Sequence, residues 1–132
     1  MIGANEIKKL FDDNFQIKEW DGGCSLTLPI FKCTSDEQYI GMDLLFSDSG
    51  FTLTDCGDTW LYLKERGLVD GNQNADYFQK VAKFFALNIG DCHELFFQFS
   101  DVKSMRYYVG YLMQAIVMIE CNACLDNGAN LV

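Results

Sequence analysis

The chain has 132 residues, 49% hydrophobic and 14% aromatic, which is enough to bury a core of its own and excludes a disordered chain. Ten basic and nineteen acidic side chains give a formal net charge of −9. A field of that sign repels phosphate backbones and disfavours direct nucleic-acid binding, whereas a basic protein partner is favoured. A simpler interpretation stays open, in which the charge keeps a small apolar protein soluble.

The first half of the chain is predicted to be an antiparallel meander that follows a short helix over residues 5–14. Stretches of alternating apolar and polar residues are separated by turn sequences such as Asp21-Gly22-Gly23 and Ser47-Asp48-Ser49-Gly50. The predicted strands cover residues 15–20, 24–32, 38–46 and 51–54.

The second half changes to a helical period. Asp58 or Thr59 is expected to cap a helix that runs through Arg66 and ends at Gly67. The further predicted elements are a helix from Asn74 or Asp76 that ends at Asn88-Ile89-Gly90, a strand over residues 94–99, and a helix over residues 102–123 capped by Ser100 and Asp101. Strands followed mostly by helices predict one α+β domain over residues 1–132, with four to five antiparallel strands packed by about four helices.

The long C-terminal helix is apolar nearly all round. A membrane span is the alternative, but Gln114, Glu120 and Asn122 within it favour a core helix or one shared with a second subunit, in a homodimer. The N-terminus has no basic flank followed by an apolar run, so we expect no signal peptide and a cytoplasmic protein. In a reducing cytosol the six cysteines are expected to be free, mostly buried thiols.

The most informative stretch covers residues 51–61. A strand enters a tight turn at Asp55 and Gly57, and a helix begins at once. Gly57 permits a backbone conformation closed to other residues, Asp55 is able to accept local backbone N–H groups, and Asp58 suits the positive end of a helix.

At these residues the chain resembles a bacterial and phage family, the domain of unknown function 1828. The matching residues are Leu28-Pro29-Ile30, Asp43-Leu44, Leu53-Thr54-Asp55-Cys56-Gly57, Trp60, Leu61, Leu63 and Gly67. The resemblance covers about residues 27–68 and implies an origin in a phage, prophage or other mobile element, in a bacterial host cell. It implies no known chemistry. The family often has a second acidic residue where Cys56 stands, so a paired-carboxylate site is not implied here.

The sequence contains three candidate catalytic or metal sites. Asp43, Asp55 and Asp58 are residue types that bind magnesium, as in a small metal-dependent hydrolase, but the acidic-x-Lys step of restriction-type nucleases is absent and turn or capping roles explain them. Cys121 and Cys124 form a C-x-x-C pair, for which Cys92 and His93 are poorly spaced additional zinc ligands. His93, the only histidine, lies near no motif that supplies a nucleophile.

The sequence therefore predicts a non-enzymatic acidic binding protein with no cofactor and no metal. Its predicted partner is a host protein, in the sharper version a nucleic-acid-handling defence enzyme such as a CRISPR effector, which the protein would inhibit by placing carboxylates where phosphates bind. The predicted partner-binding residues are Asp36, Glu37, Asp48, Asp55, Asp58 and Trp60. Exposed aromatics would strengthen such a surface. The alternatives are the metal-dependent hydrolase and a homo-oligomeric regulatory module.

Overall fold

A computed structural model describes residues 4–11, 15–32, 35–69 and 73–128. Its helices are α1 (Ala4–Lys8), α2 (Asp58–Glu65), α3 (Gln73–Phe84) and α4 (Met105–Gly128), with a 3-10 turn at Val102–Ser104. Its strands are β1 (Gln16–Trp20), β2 (Gly23–Lys32), β3 (Ser35–Ser47), β4 (Gly50–Thr54), β5 (Asn88–Ile89) and β6 (Leu95–Phe99). The predicted α+β class with a long C-terminal helix is confirmed.

The six strands form one antiparallel sheet in the order β1-β2-β3-β4-β6-β5. The order of the meander from β1 to β4 is as predicted, but β3 begins at Ser35, earlier than the predicted residue 38. The strand count is higher than predicted because α3 ends at Phe84, and Asn88 and Ile89, which were expected to end it, pair instead with Phe96 and Leu95 as a two-residue edge strand. The chain thus leaves the sheet after β4 and returns with the edge strand β5, and β6 then lies between β5 and β4.

One face of the sheet, which we call the inner face, packs against all four helices in a single core. Along each strand every second side chain points inward, as the two-residue period of a strand requires. Leu26, Met42, Leu44, Leu53 and Phe97 supply the sheet side of this core. The helix side comes from Ile7, Leu63, Phe78, Val81, Leu112 and Ile119, among others.

Helix α4 has two different faces. One is buried in the core through Met105, Val109, Leu112 and Ala115. The other leaves apolar side chains exposed, and these are Tyr107, Tyr111, Met118 and Leu125. The segment Val102–Leu125 is long and apolar enough to cross a membrane by length and composition alone. Its core face accounts for part of that apolar character.

The helix starts differ from the predicted caps. The residue before α2 is Gly57, and neither Asp58 nor Thr59 caps this helix, because both lie inside its first turn. Asp101 does act as a cap, with its carboxylate accepting the backbone N–H of Lys103 at 2.9 Å, but it caps the 3-10 turn that precedes α4.

The prediction of free, mostly buried thiols is wrong in two respects. Cys121 is disulfide-bonded, so it is not a free thiol and is unavailable as half of a C-x-x-C zinc pair. Cys24 is a buried free thiol, but Cys56 and Cys92 are exposed ones. Cys33 lies outside the described residues.

Candidate functional site

The face of the sheet opposite the core, which we call the outer face, carries no helix in the described part of the chain. Its side chains lie in rows across the strands because paired residues share a face. One row is Lys18, Ser25, Asp43, Thr54 and Phe96, and the next is Trp20, Gly23, Leu45, Thr52 and Gln98. The two rows contain three hydroxyl side chains and three large apolar ones, together with charged and amide groups.

Four residues of the outer face are joined by side-chain hydrogen bonds. The indole N–H of Trp20 donates to Ser25 Oγ at 3.0 Å, and the Ser25 hydroxyl donates to Asp43 Oδ1 at 2.8 Å. The thiol of Cys56 donates to the other oxygen, Asp43 Oδ2, at 3.1 Å. Asp43 therefore has both carboxylate oxygens engaged, and it fixes an exposed tryptophan on one side and an exposed thiol on the other.

Trp20 is held by packing as well. Its ring lies across Gly23. A Cβ atom added at Gly23 would stand 2.8 Å from Trp20 Cη2 and would overlap the carbonyl oxygen of Leu44. Trp20 is 37% exposed, and Tyr39 (46%) and Leu45 (39%) also lie on the outer face. Rigid aromatic side chains with one open side are typical anchors of protein interfaces.

Exposed carboxylates surround one end of this face. The β1–β2 turn contributes Asp21, the β3–β4 turn contributes Asp48, and Asp101 follows β6. The two turns are neighbours, since Phe46 N donates to Gly22 O at 2.8 Å. Asp48 and Asp101 both line a shallow depression of about 440 Å³ at this end. We call this the acidic end of the sheet.

Asp55, a predicted partner-binding residue, lies inside the protein. It is 2% exposed, and its Oδ1 accepts backbone N–H groups from Gly57 at 2.9 Å and Leu95 at 2.8 Å. Its Oδ2 accepts the backbone N–H of Thr59 at 3.3 Å. Burial raises the pKa of Asp55, and these hydrogen bonds act in the opposite direction. The geometry gives Asp55 a structural role instead of a place in a docking surface.

Trp60 is half-buried behind the same turn. Its ring stacks on His93, with centroids 4.0 Å apart and planes at 7°, and it meets the edge of Phe78 at 5.0 Å. His93 has a φ of 60°, so the backbone turns in the left-handed region to present the imidazole to the indole. The indole is thus packed against His93 and Phe78, and Trp60 supports the turn.

The remaining predicted binding residues lie at different places. Asp48 is exposed at the acidic end, and Asp58 is exposed at the start of α2. The side chains of Asp36 and Glu37 lie outside the described residues. The sequence interpretation missed Ser25 and the role of Asp43 as a hydrogen-bond acceptor on the outer face. The signal that could have identified them is that Trp20, Ser25 and Asp43 lie on three neighbouring predicted strands, at positions that the two-residue period assigns to one face of the sheet.

The magnesium alternative finds no support in this geometry. Asp55 is enclosed with its oxygens bound to backbone N–H groups, and Asp43 is engaged by Ser25 and Cys56. Among the described residues no group of three or more His, Cys, Asp or Glu side chains is arranged to hold a metal ion.

Comparison with known proteins adds nothing to this description. No family model matches the chain, no curated protein matches it, and no solved structure matches it. The resemblance to the domain of unknown function 1828 therefore stays an expectation from the sequence.

Proposed function

We propose that this chain is a non-enzymatic binding protein that docks its outer face and acidic end on a basic surface of a partner protein. The observation that carries the proposal is the fixed array on the outer face, in which Trp20, Ser25, Asp43 and Cys56 are already hydrogen-bonded in a row. A prearranged surface loses little side-chain entropy when a partner binds.

The charge of the molecule supports a basic partner. The net charge is −9, and Asp21, Asp48 and Asp101 are exposed beside the apolar anchors of the outer face. Carboxylates in such a setting attract the lysines and arginines that proteins use to bind phosphate. The partner class we propose is a nucleic-acid-handling protein.

The family resemblance extends the proposal one step further. If the chain comes from a phage, prophage or mobile element, the partner to expect is a host defence enzyme such as a CRISPR effector. The protein would then inhibit it by occupying the site that binds the nucleic acid, in the cytoplasm of the bacterial host.

The test begins with an affinity pull-down of the tagged chain from a bacterial lysate that expresses defence systems, read by mass spectrometry. The affinity of the purified partner is then measured for matched variants. Asp21→Asn with Asp48→Asn removes two of the three carboxylates of the acidic end and keeps turn-compatible residues. Asp76→Asn with Asp91→Asn removes the same charge elsewhere. Leu45→Ala on the outer face is matched by Leu61→Ala on α2, both leucines being exposed.

We expect the acidic-end pair and Leu45→Ala each to weaken binding about tenfold, or about 1.4 kcal/mol, and the two controls to stay within about twofold. The loss for the acidic-end pair should shrink at high salt because exposed charges are screened. Equal effects of the test and control variants would show that this surface is not the docking site.

The exposed stripe of α4 favours a second candidate, the homo-oligomeric regulatory module. Tyr107 is 67% exposed, Leu125 is 73% exposed, and Tyr111 and Met118 lie between them at helical spacing. Two copies packed along this stripe would cover it. Light scattering tests this candidate, with Tyr111→Lys and Met118→Lys expected to convert a dimer into a monomer.

A further inference from the structure

Glu120 is a buried acidic residue that the proposed function does not use. It lies on the core side of α4 and is 2% exposed. Its Oε1 atom is buried and accepts no hydrogen bond from any described residue. An unsatisfied buried oxygen destabilises the folded state, the more so when the group is charged, so native proteins keep few of them without a reason.

Glu120 lines a cleft between α4, α2 and the ends of β2 and β3. The cleft has a volume of about 420 Å³, and its walls include Lys32, Asp58, Tyr62 and Arg66. Sites for small molecules have volumes of about 300–1,000 Å³ and present a few polar groups at fixed positions. The cleft is therefore large enough for a metabolite of modest size.

The positive side of the cleft is held in place. The Arg66 guanidinium carbon lies 3.8 Å from the centroid of the Tyr62 ring, and Arg66 donates to the Tyr62 carbonyl at 3.3 Å. A cation above an aromatic face in this way is stabilised where it stands. Lys32, at the end of β2, also lines the cleft.

The electrostatics of Glu120 suit a ligand that brings its own positive charge. Burial raises the pKa of the Glu120 carboxyl, while the charge of Lys32 lowers it, and Asp55 and Asp58 raise it. A donor that reached Oε1 would satisfy the orphan oxygen and stabilise the carboxylate. A negative group on the same ligand would face Lys32 and Arg66.

We propose that this cleft binds a small zwitterion of the α-amino acid type, with its ammonium group directed at the Glu120 carboxyl and its carboxylate facing Lys32 and Arg66. Both charges of such a ligand would lie near opposite charges in the cleft. A simple amine or a simple acid carries one charge and would use only one of the two. The proposal does not depend on the partner-binding function, because the cleft lies on the helical side of the sheet.

The direct test is isothermal titration calorimetry and thermal unfolding of the whole chain with each of the twenty common L-amino acids at up to 10 mM. We expect at least one to bind and to raise Tm. The N-acetyl and methyl-ester forms of the best ligand, which lack the ammonium and the carboxylate respectively, should each bind about tenfold more weakly or worse.

Variants assign the binding to the cleft. Glu120→Gln keeps the volume and removes the charge, and Lys32→Met removes the facing cation. Each should weaken binding about tenfold, whereas the control Lys80→Met on the exposed side of α3 should bind as the unchanged chain does. Circular dichroism confirms folding, and Lys32→Met decides the question if Glu120→Gln does not fold. The absence of binding by all twenty amino acids would overturn the proposal, as would unchanged affinity in folded Glu120→Gln or Lys32→Met.

Discussion

The carboxylate of Asp55 accepts the backbone N–H of Leu95 at 2.8 Å, although the two residues are 40 positions apart in the chain. This bond joins the turn after β4 to the start of β6, and Asp55 N donates to Leu95 O at 3.1 Å in return. The same carboxylate holds Gly57 and Thr59, which begin α2. A single side chain therefore connects the meander, the first helix of the second half and the returning strand.

Asp55→Ala is expected to destabilise the protein strongly. It leaves three backbone N–H groups inside the protein without an acceptor, and the cost should be about 3–5 kcal/mol in the free energy of unfolding. Urea denaturation followed by circular dichroism measures this. Asp58→Ala removes an exposed carboxylate three residues later and should cost less than about 1 kcal/mol. Similar losses for the two variants would contradict the structural role of Asp55.

The same substitution at two glycines should have opposite signs. Gly57 has a φ of 81°, and an added Cβ would meet Cys92 O only at 3.5 Å, so Gly57→Ala is opposed by the backbone conformation and should cost about 1–2 kcal/mol. Gly110 lies within α4 with open space around it, so Gly110→Ala should stabilise by about 0.5–1 kcal/mol. Thermal unfolding of both variants checks the pair, and a stabilised Gly57→Ala variant would refute the turn geometry.

Glu120→Gln should change how stability depends on pH. The folded-state pKa of Glu120 is raised by burial, so the unchanged chain has its full stability below the unfolded pKa of about 4.3 and loses part of it as pH rises through the folded pKa. Gln does not ionise. The stability of Glu120→Gln relative to the unchanged chain should therefore increase from pH 4 to pH 8.

Denaturation at several pH values without added ligand measures this difference. The pKa of Glu120 responds to the charges of Lys32, Asp55, Arg66 and Asp58. These four residues are the same in the unchanged chain and in Glu120→Gln. Glu65→Gln on exposed α2 is the matched control and should stay within about 0.5 kcal/mol of the unchanged chain at each pH. A relative stability that falls with pH would mean that Glu120 is stabilised as a carboxylate.

Cys56 should react slowly with alkylating reagents although it is exposed. Desolvation, the hydrogen bond to Asp43 and the charge of Asp43 raise the pKa of Cys56 to about 12, and the thiolate is the reactive form. In a Cys92→Ser background, Asp43→Asn should speed the reaction of Cys56 with iodoacetamide at pH 8 by about tenfold, which corresponds to a fall of one pKa unit. An unchanged reaction rate would show that Asp43 does not raise the pKa of Cys56.

The state of Cys121 is open to a chemical test. Denatured, unreduced protein treated with iodoacetamide should be modified at Cys24, Cys56, Cys92 and Cys124, which form no disulfide. Cys121 should be modified only after reduction. Peptide mapping reads both patterns, and labelling of Cys121 without a reductant would show that the bond is absent under the conditions of purification.

The elements with a clear local pattern were predictable from the sequence. The strands β1 to β4 were found because turn sequences at Asp21–Gly23 and Ser47–Gly50 separate them, and α3 because its apolar residues recur at helical spacing. Strand β5 was not predictable, because a strand of two residues is too short to show an alternating pattern in the sequence. Its existence depends on β6, which lies beside it only in the folded chain.

The roles of single side chains were harder to predict for the same reason. An aspartate in a polar turn is usually exposed, and the acceptor role that buries Asp55 comes from Leu95, far along the chain. The presence of Glu120 disfavours a membrane span, but the residues next to it in the sequence do not indicate that its Oε1 is buried without a hydrogen-bond donor. The disulfide of Cys121 was missed because pairing depends on spatial proximity and not on spacing in the sequence.

The position of β6 between β4 and β5 has a consequence for the growing chain on the ribosome. The meander β1–β4 is complete by Thr54, yet the free edge of β4 has no neighbour until Leu95–Phe99 has been synthesised. The apolar inner face gains its largest cover, α4, later still. An unpaired strand edge beside uncovered apolar surface is prone to self-association. The nascent protein is therefore prone to aggregation for a large part of its synthesis. Chaperone binding or rapid translation of the second half would improve the yield of folded molecules.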